Sequence, residues 1–165
     1  MSFTHLHVHT EFSLLDGSSK IKEIAVQAKK LGFDSLAITD HGVMYGVIDF
    51  YRACKDAGIK PIIGCEIYVS PGSRFDREKG HDDFKYFHLV LLAENDIGYH
   101  NLMKIVSVGF TEGYYYKPRV DYETLEKYHE GIIALSACLA GEVARYLGSY
   151  RYEDAKEAAL RYENI

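Results

Sequence analysis

At 165 residues, 47% apolar and 26% charged, the chain has the size and balance of one globular domain able to bury a core, which excludes a disordered or fibrous protein. A formal net charge of −5 argues against a broad electrostatic grip on nucleic acid, although bound cations could still bring a phosphate to an acidic surface. Cys54, Cys65 and Cys138 are too scattered for a zinc ribbon or a disulfide framework, no apolar run approaches the roughly 20 residues of a membrane span, and the N-terminus lacks a signal-peptide layout, so a cytoplasmic protein is expected.

In chain order, "SFTHLHVH" alternates and predicts a first strand over residues 2–9. "SSKIKEIAVQAKKLG" predicts a helix with a serine cap, apolar residues at Ile21, Ile24, Ala25, Ala28 and Leu31, and Gly32 as its stop. "SLAIT" reads as a short buried strand, "GVIDFYRACKDAG" as a helix ending at Gly58, and "KPIIGCEIYV" as a strand interrupted by Gly64. "SPGSRFDREKGHDDFK" has the mixture of a surface loop. "YFHLVLLA" and "NDIGYHNLMKIVSVGF" predict the next strand and helix, and "GYYYKPRVD" a packed, tyrosine-rich loop. "VDYETLEKYHE", "GIIALSA" and "LAGEVARYLG" follow as helix, strand and helix, and "YEDAKEAALRYENI" is helical and stops without a terminal signal. Strand and helix alternate about five times, which predicts a parallel α/β sheet or barrel, in one domain or part of one.

On a strand, His5, His7 and His9 share one face while Leu6 and Val8 take the other. Imidazoles two apart at a strand end can grip one metal ion; the plainer reading is a rim of hydrogen-bonded core histidines. Further ligand-type residues fall at comparable places. Asp16 leaves the first strand in "LLDG", Asp40 and His41 follow the second in "AITDHG", and Glu66 lies within or at the end of the third in "GCEIY". His88 opens "FHLVLLA", and Cys138 follows "GIIALSA". Singly, each reads as a turn residue, a helix cap or a small apolar filler. Jointly they are the types that bind zinc, manganese or iron, and a parallel barrel would bring them to one face. His7, His9, Asp16, His41, Glu66, His88 and Cys138 are too many for one tetrahedral ion and suit a cluster of two or three. Such a cluster activates a water and neutralises a phosphate ester.

His5 is expected behind these ligands or in the core, and Asp40 to hydrogen-bond a ligand imidazole and fix its tautomer, or to cap a helix. His81, His100 and His129 are expected at the surface. Lys117 and Arg119, beside three tyrosines, could touch a nucleic-acid backbone or stack bases, although packing is the more ordinary use. Arg119 is the candidate phosphate contact, because a guanidinium suits bidentate binding.

"HVH" with Asp16, "TDHG", "GCE", "FHL" and "SAC", in that order, resemble the successive metal motifs of the PHP (polymerase and histidinol phosphatase) superfamily. "EFSLLDGSSKI", "YGVIDFYRACKDAGIKPIIGCEIYV", "GYHNLMKIVSVGFTEGYYYKPRVD" and "EGIIALSACLAGEV" resemble the branch that opens bacterial DNA polymerase III alpha subunits, over essentially the whole chain. The resemblance implies a distorted seven-stranded α/β barrel holding up to three divalent ions through nine ligands. His7, His9, Asp16, His41, Glu66, His88 and Cys138 match seven of those. The other two belong to an Asp-x-His motif that does not occur after Cys138. Residues 1–165 are therefore expected to be the N-terminal part of a PHP domain, with about five of its strands, in a longer polymerase subunit.

The resemblance also implies metal-dependent phosphoester hydrolysis, in polymerases as a 3′–5′ exonuclease on the DNA 3′ end. Zinc is the expected ion, with manganese or iron as alternatives. The implied partners are the rest of the alpha subunit and other replisome subunits, with no membrane. His7, His9, Glu66 and Cys138 would hold ions; Asp16 and His41 would complete the cluster or orient its nucleophile as catalytic residues. Two rival readings remain. A structural and interaction module would have no need of this ligand set, and a free-standing PHP phosphatase is disfavoured by the polymerase-type segments.

Overall fold

The strand Lys60–Val69, here β2, is the one about which the sheet is organised. β1 (Ser35–Ile38) pairs in parallel with its first half and β5 (Lys117–Val120) in parallel with its end. β3 (Phe87–Ala93) runs antiparallel along β2, β6 (Ile132–Leu135) antiparallel along β3, and β4 (Tyr114–Tyr115) antiparallel to β5. The resulting order is β4-β5-β2-β3-β6 with β1 on β2, in a mixed sheet that does not close. The computed structural model describes residues 3–77 and 85–165, so His81 lies outside the described residues.

The helices α1 (Ile21–Lys30), α2 (Val47–Ala57), α3 (Asp96–Thr111), α4 (Tyr122–Tyr128), α5 (Glu142–Gly148) and α6 (Tyr152–Glu163) follow the predicted pattern. Ile21, Ala25 and Ala28 of α1 share one stripe and pack with Val47, Phe50 and Cys54 of α2 in one core cluster. Phe50 is fully buried, and burial of such a side chain contributes about 2–3 kcal/mol. A second cluster joins Cys65, Ile67 and Val69 of β2 to Leu102 and Ile105 of α3. Left-handed Gly32 and Gly58 end α1 and α2. The expected serine cap of α1 is absent: its N-cap is Lys20, and the Ile21 N–H donates instead to Glu11 Oε2 at 2.9 Å. α3 and α4 carry side-chain caps, Asn95 accepting from Gly98 N–H and Asp121 from Thr124 N–H.

Four expectations are corrected. The sheet is mixed, because no helix is described between β2 and β3 to carry a parallel crossover. β2 is continuous through Gly64, which pairs with Leu92. The segment at residues 3–9 is extended but is not a regular strand. It meets β1 through Ala37 N–H to His5 O (3.1 Å) and Thr39 N–H to Val8 O (2.8 Å), while Val8 N–H turns to the Thr39 hydroxyl at 2.7 Å and breaks the ladder. Finally, "GYYYKPRVD" forms the β4–β5 ribbon where a loop was expected. Among the described residues no helix is long and apolar enough to cross a membrane.

Candidate metal centre

Glu66, in the middle of β2, is fully buried, which for a carboxylate demands partners. Main-chain bonds of Glu66 bring one of those partners into place. Gly42 N–H donates to Glu66 O at 2.8 Å and Glu66 N–H to Asp40 O at 3.1 Å, which fixes His41 beside Glu66. His7 and His9 arrive on the extended segment beside β1. His88 faces Tyr68 across the β2–β3 pair. Because β3 is antiparallel, its start lies beside the end of β2, so a residue that opens a strand joins residues that close others. His88 N–H also donates to Ala140 O at 3.0 Å, which brings in the loop carrying Cys138.

The side chains converge on the Glu66 carboxylate. Oε2 lies 2.9 Å from His7 Nε2, 2.9 Å from His9 Nε2 and 3.2 Å from His41 Nδ1. Oε1 lies 2.9 Å from His88 Nδ1 and 3.6 Å from Cys138 Sγ, which is also 3.6 Å from His88 Nδ1. Asp16 Oδ2 is 2.5 Å from His41 Nε2, at the rim, on a turn where Asp16 and Gly17 N–H both reach Ser13 O. A Cβ on Gly17 would lie 2.1 Å from Thr10 O, so only glycine fits that turn. The structure thus brings together His7, His9, Asp16, His41, Glu66, His88 and Cys138.

Three observations fit this set to metal ions. His41 Nδ1 is buried and, although 3.2 Å from Glu66 Oε2, is out of line for a hydrogen bond, so no hydrogen bond among the described residues satisfies it. His9 Nδ1 carries a proton: the Ser13 hydroxyl donates to Asp40 Oδ1 (2.6 Å), so the 3.2 Å contact with His9 is donated by His9 Nδ1, and Nε2 is left facing the Glu66 carboxylate. At 2.9 Å that nitrogen and the carboxylate need a proton or a cation between them: with a proton Nε2 donates to Glu66, and a cation would take the proton's place. Lastly, His7–His9–Glu66, His9–Asp16–His41 and His41–Glu66–His88 are three groups whose ligand atoms each lie within 4.8 Å, and they share His9, His41 and Glu66.

Electrostatics agree with this arrangement. Burial would raise the Glu66 carboxyl, but hydrogen bonds from His7, His88 and His9 outweigh it and hold it far below the carboxylate range. Burial pulls His9 down, yet the bond and charge of Glu66 leave it raised, whereas burial leaves His41 lowered despite Asp16. The Asp16 carboxyl is lowered chiefly by its bond to His41. A cation here would compete with protons on the imidazoles.

Asp40 makes no direct bond to an imidazole of the cluster and reaches His9 only through the Ser13 hydroxyl. It accepts from Thr10 N–H (2.6 Å), the Thr10 hydroxyl (2.7 Å) and the Ser13 hydroxyl, and Ser13 Oγ in turn accepts from His41 N–H at 3.1 Å. Residue types alone gave no pointer to Ser13, since serine in a turn is ordinary. His5 is corrected: it is exposed and its ring packs on Phe3 and Phe33, centroids 4.8 and 5.4 Å away, because the irregular segment breaks the shared face. Arg119 is also corrected. It is 2% exposed, and its guanidinium donates to Gly113 O, Lys85 O, Arg74 O and Asp76 O, clasping loops and leaving phosphate contact to other groups. His100 and His129 are exposed as expected.

Fold and cluster together define a mixed α/β protein built round a buried His/carboxylate cluster. The profile of the PHP domain family matches residues 5–165, and the chain belongs to that family. It is 51% identical over 165 residues to the DNA polymerase III subunit alpha of Treponema pallidum, covering 100% of this chain and 14% of the relative. Over 163 residues it is 47% identical to the Borreliella burgdorferi protein of the same name, covering 99% and 14%. The chain therefore spans 14% of the length of those relatives. A solved candidate metal-dependent phosphoesterase from Bifidobacterium adolescentis aligns with 64% of this chain and 32% of its own at 23% identity and a TM-score of 0.47, too low to bear on the chemistry.

Proposed function

We propose that the chain is the PHP domain portion of a bacterial replicative DNA polymerase III alpha subunit, and that its cluster is a metal-dependent phosphoesterase site acting on the DNA 3′ end as a 3′–5′ exonuclease. The observation that carries this reading is the buried Glu66 carboxylate ringed by His7, His9, His41 and His88. The polymerase assignment is supported by the likeness to the alpha subunits of Treponema pallidum and Borreliella burgdorferi. In the longer protein the open sheet is continued into a distorted seven-stranded barrel that adds the remaining ligands. The rest of the alpha subunit and other replisome subunits are its partners, in the cytoplasm.

His7, His9, Asp16, His41, Glu66, His88 and Cys138 would hold the ions, and Asp16 and His41 would also serve as the catalytic pair. Zinc is the ion favoured by imidazole, carboxylate and thiol donors, with manganese and iron as substitutes. Divalent ions at this site would acidify a water and neutralise charge on the phosphate. Glu66 faces four imidazoles and stays ionised, supported by hydrogen bonds from His7, His88 and His9 and by the charge of His41. Ser13 and Asp40 keep His9 in the tautomer that presents Nε2. Asp16, at the exposed rim and paired with His41, orients the attacking water or receives its proton.

The test is release of nucleotides from a 3′-labelled single-stranded oligonucleotide. Metal-dependent release that is lost in Asp16→Asn with retained metal supports the reading. A fully metal-loaded chain with no hydrolysis above an Asp16→Asn control would contradict it and favour a structural module.

A further inference from the structure

We infer that the cleft beside the ligand cluster is a stacking subsite for an unpaired nucleobase, placed so that the phosphate next to that base reaches the metal ligands. This deepens the phosphoesterase reading and rests on it. A cleft of about 530 Å³ is lined by Asp16, His41 and His88 on one side and by residues of the β4–β5 ribbon on the other. The same cleft is lined by Tyr45, Phe110, Tyr114 and Tyr116, which are 68, 40, 55 and 65% exposed. Four rings left this open beside a ligand cluster form an apolar surface that the fold itself does not cover.

Three of the rings have contacts or backbone geometry that place them. Phe110 and Tyr114 lie 28° from parallel with centroids 6.2 Å apart. Tyr116 stands at the β4–β5 turn with φ 61°, a left-handed conformation unfavourable to any residue with a Cβ, and in it the ring stays open to solvent. Cations sit on the aromatic surface: Lys85 Nζ is 4.4 Å from the Tyr116 ring, and Lys117, which lines the cleft, has its Nζ 5.4 Å from the Tyr68 ring. Flat rings, the Lys117 ammonium and metal-type ligands in one cleft match a ligand with a planar π face joined to a phosphate. A nucleobase on its sugar phosphate is that ligand. Inside a duplex both faces of a base are covered by its neighbours, so only an unpaired base can lie on the wall. The same chemistry is offered by a frayed strand end and by a free nucleotide.

The experiment is fluorescence anisotropy on the full chain in chelator, where no cleavage occurs. The probes are a 5′-fluorescein thymidine tetramer, an abasic tetramer of equal charge and a blunt duplex. Wild type is expected to bind the thymidine tetramer about tenfold more tightly than the abasic one, the scale of one base stacked on an aromatic ring. Tyr45→Leu with Tyr114→Leu is expected to remove that preference, and Tyr45→Phe with Tyr114→Phe to keep it. Equal binding of thymidine and abasic tetramers by wild type overturns the subsite, as does a preference that survives in the leucine variant or duplex binding equal to single strand. Competition by dTMP as strong as by unlabelled tetramer would support the subsite with a free nucleotide as occupant, and weaker competition would support it with a strand end. Manganese content of the reloaded chains separates the two readings: metal uptake without base preference overturns the subsite alone, and base preference without metal uptake overturns the phosphoesterase reading alone.

Discussion

Ser13 is the residue on which the geometry of the cluster turns. Its single hydroxyl donates to Asp40 and accepts from His9 and from the His41 backbone, joining two loops and one ligand tautomer through one atom. Ser13→Ala leaves His9 Nδ1 without its acceptor while Asp40 keeps both bonds from Thr10. Manganese affinity, read by competition with a chromophoric chelator, is expected to fall about tenfold, the lower end for loss of a group that orients a metal ligand. Stability is expected to fall by about 1 kcal/mol, and long-range ¹⁵N NMR is expected to show His9 losing its Nδ1–H preference. Arg119→Met is expected to behave in the opposite way, costing about 3 kcal/mol in urea denaturation by stripping four carbonyls of a buried donor, with metal content unchanged. The seven ligand candidates were legible because His, Asp, Glu and Cys at successive element ends are uncommon together. Arg119 was misjudged because a guanidinium suits phosphate and backbone carbonyls equally well, and only burial separates the two. His5 was misjudged because alternation was extended into a segment that the Thr39 hydroxyl pulls out of register.

Among the elements, α4 depends on Asp121. Its carboxylate caps Thr124 N–H at 3.1 Å, accepts the Thr124 hydroxyl at 2.8 Å and binds Arg74 through backbone and guanidinium. Burial would raise its carboxyl, but these bonds outweigh burial and lower it. Because the folded value lies below the unfolded one, the stabilisation is full above about pH 4 and is lost as pH falls through the depressed value. Asp121→Ala is expected to cost about 2–3 kcal/mol at pH 7 in urea denaturation, combining a lost cap with a buried donor left unpaired. Asp121→Asn is expected to flatten the acid limb of the stability profile. Helices and long strands were legible from periodicity and from Gly32 and Gly58. The β4–β5 ribbon was not, because three consecutive tyrosines followed by Lys-Pro-Arg show no alternation, the one turn-type residue, Pro118, falls inside β5, and the turn is made by Tyr116 in a conformation usually reserved for glycine.

For the whole molecule, the cluster ties the N-terminal segment, the β1–α2 connection, β2, β3 and the β6–α5 loop to one buried carboxylate. Divalent ions held there would bind the folded chain alone. At a hundred times Kd they are expected to add about 2.7 kcal/mol of stability, read as a shift in thermal midpoint, and Glu66→Gln is expected to abolish the shift. The presence of an α/β fold was legible in the alternation of strand and helix. Strand direction was not, since a periodicity of two is the same for parallel and antiparallel neighbours and the stretch between β2 and β3 carries no helical pattern to impose a crossover. That one reversal is what lets the side chain of His88, the second residue of its strand, reach the Glu66 carboxylate.

The most direct test of this account is the metal content of the purified chain by elemental analysis after reloading with zinc or manganese, beside a His7→Ala, His9→Ala control. The account expects more than one ion per folded wild-type chain, with most of that metal lost from a control that remains folded. A folded wild-type chain with no stoichiometric metal, unchanged by the double substitution, would contradict it and leave Glu66 and its four imidazoles as a purely structural network.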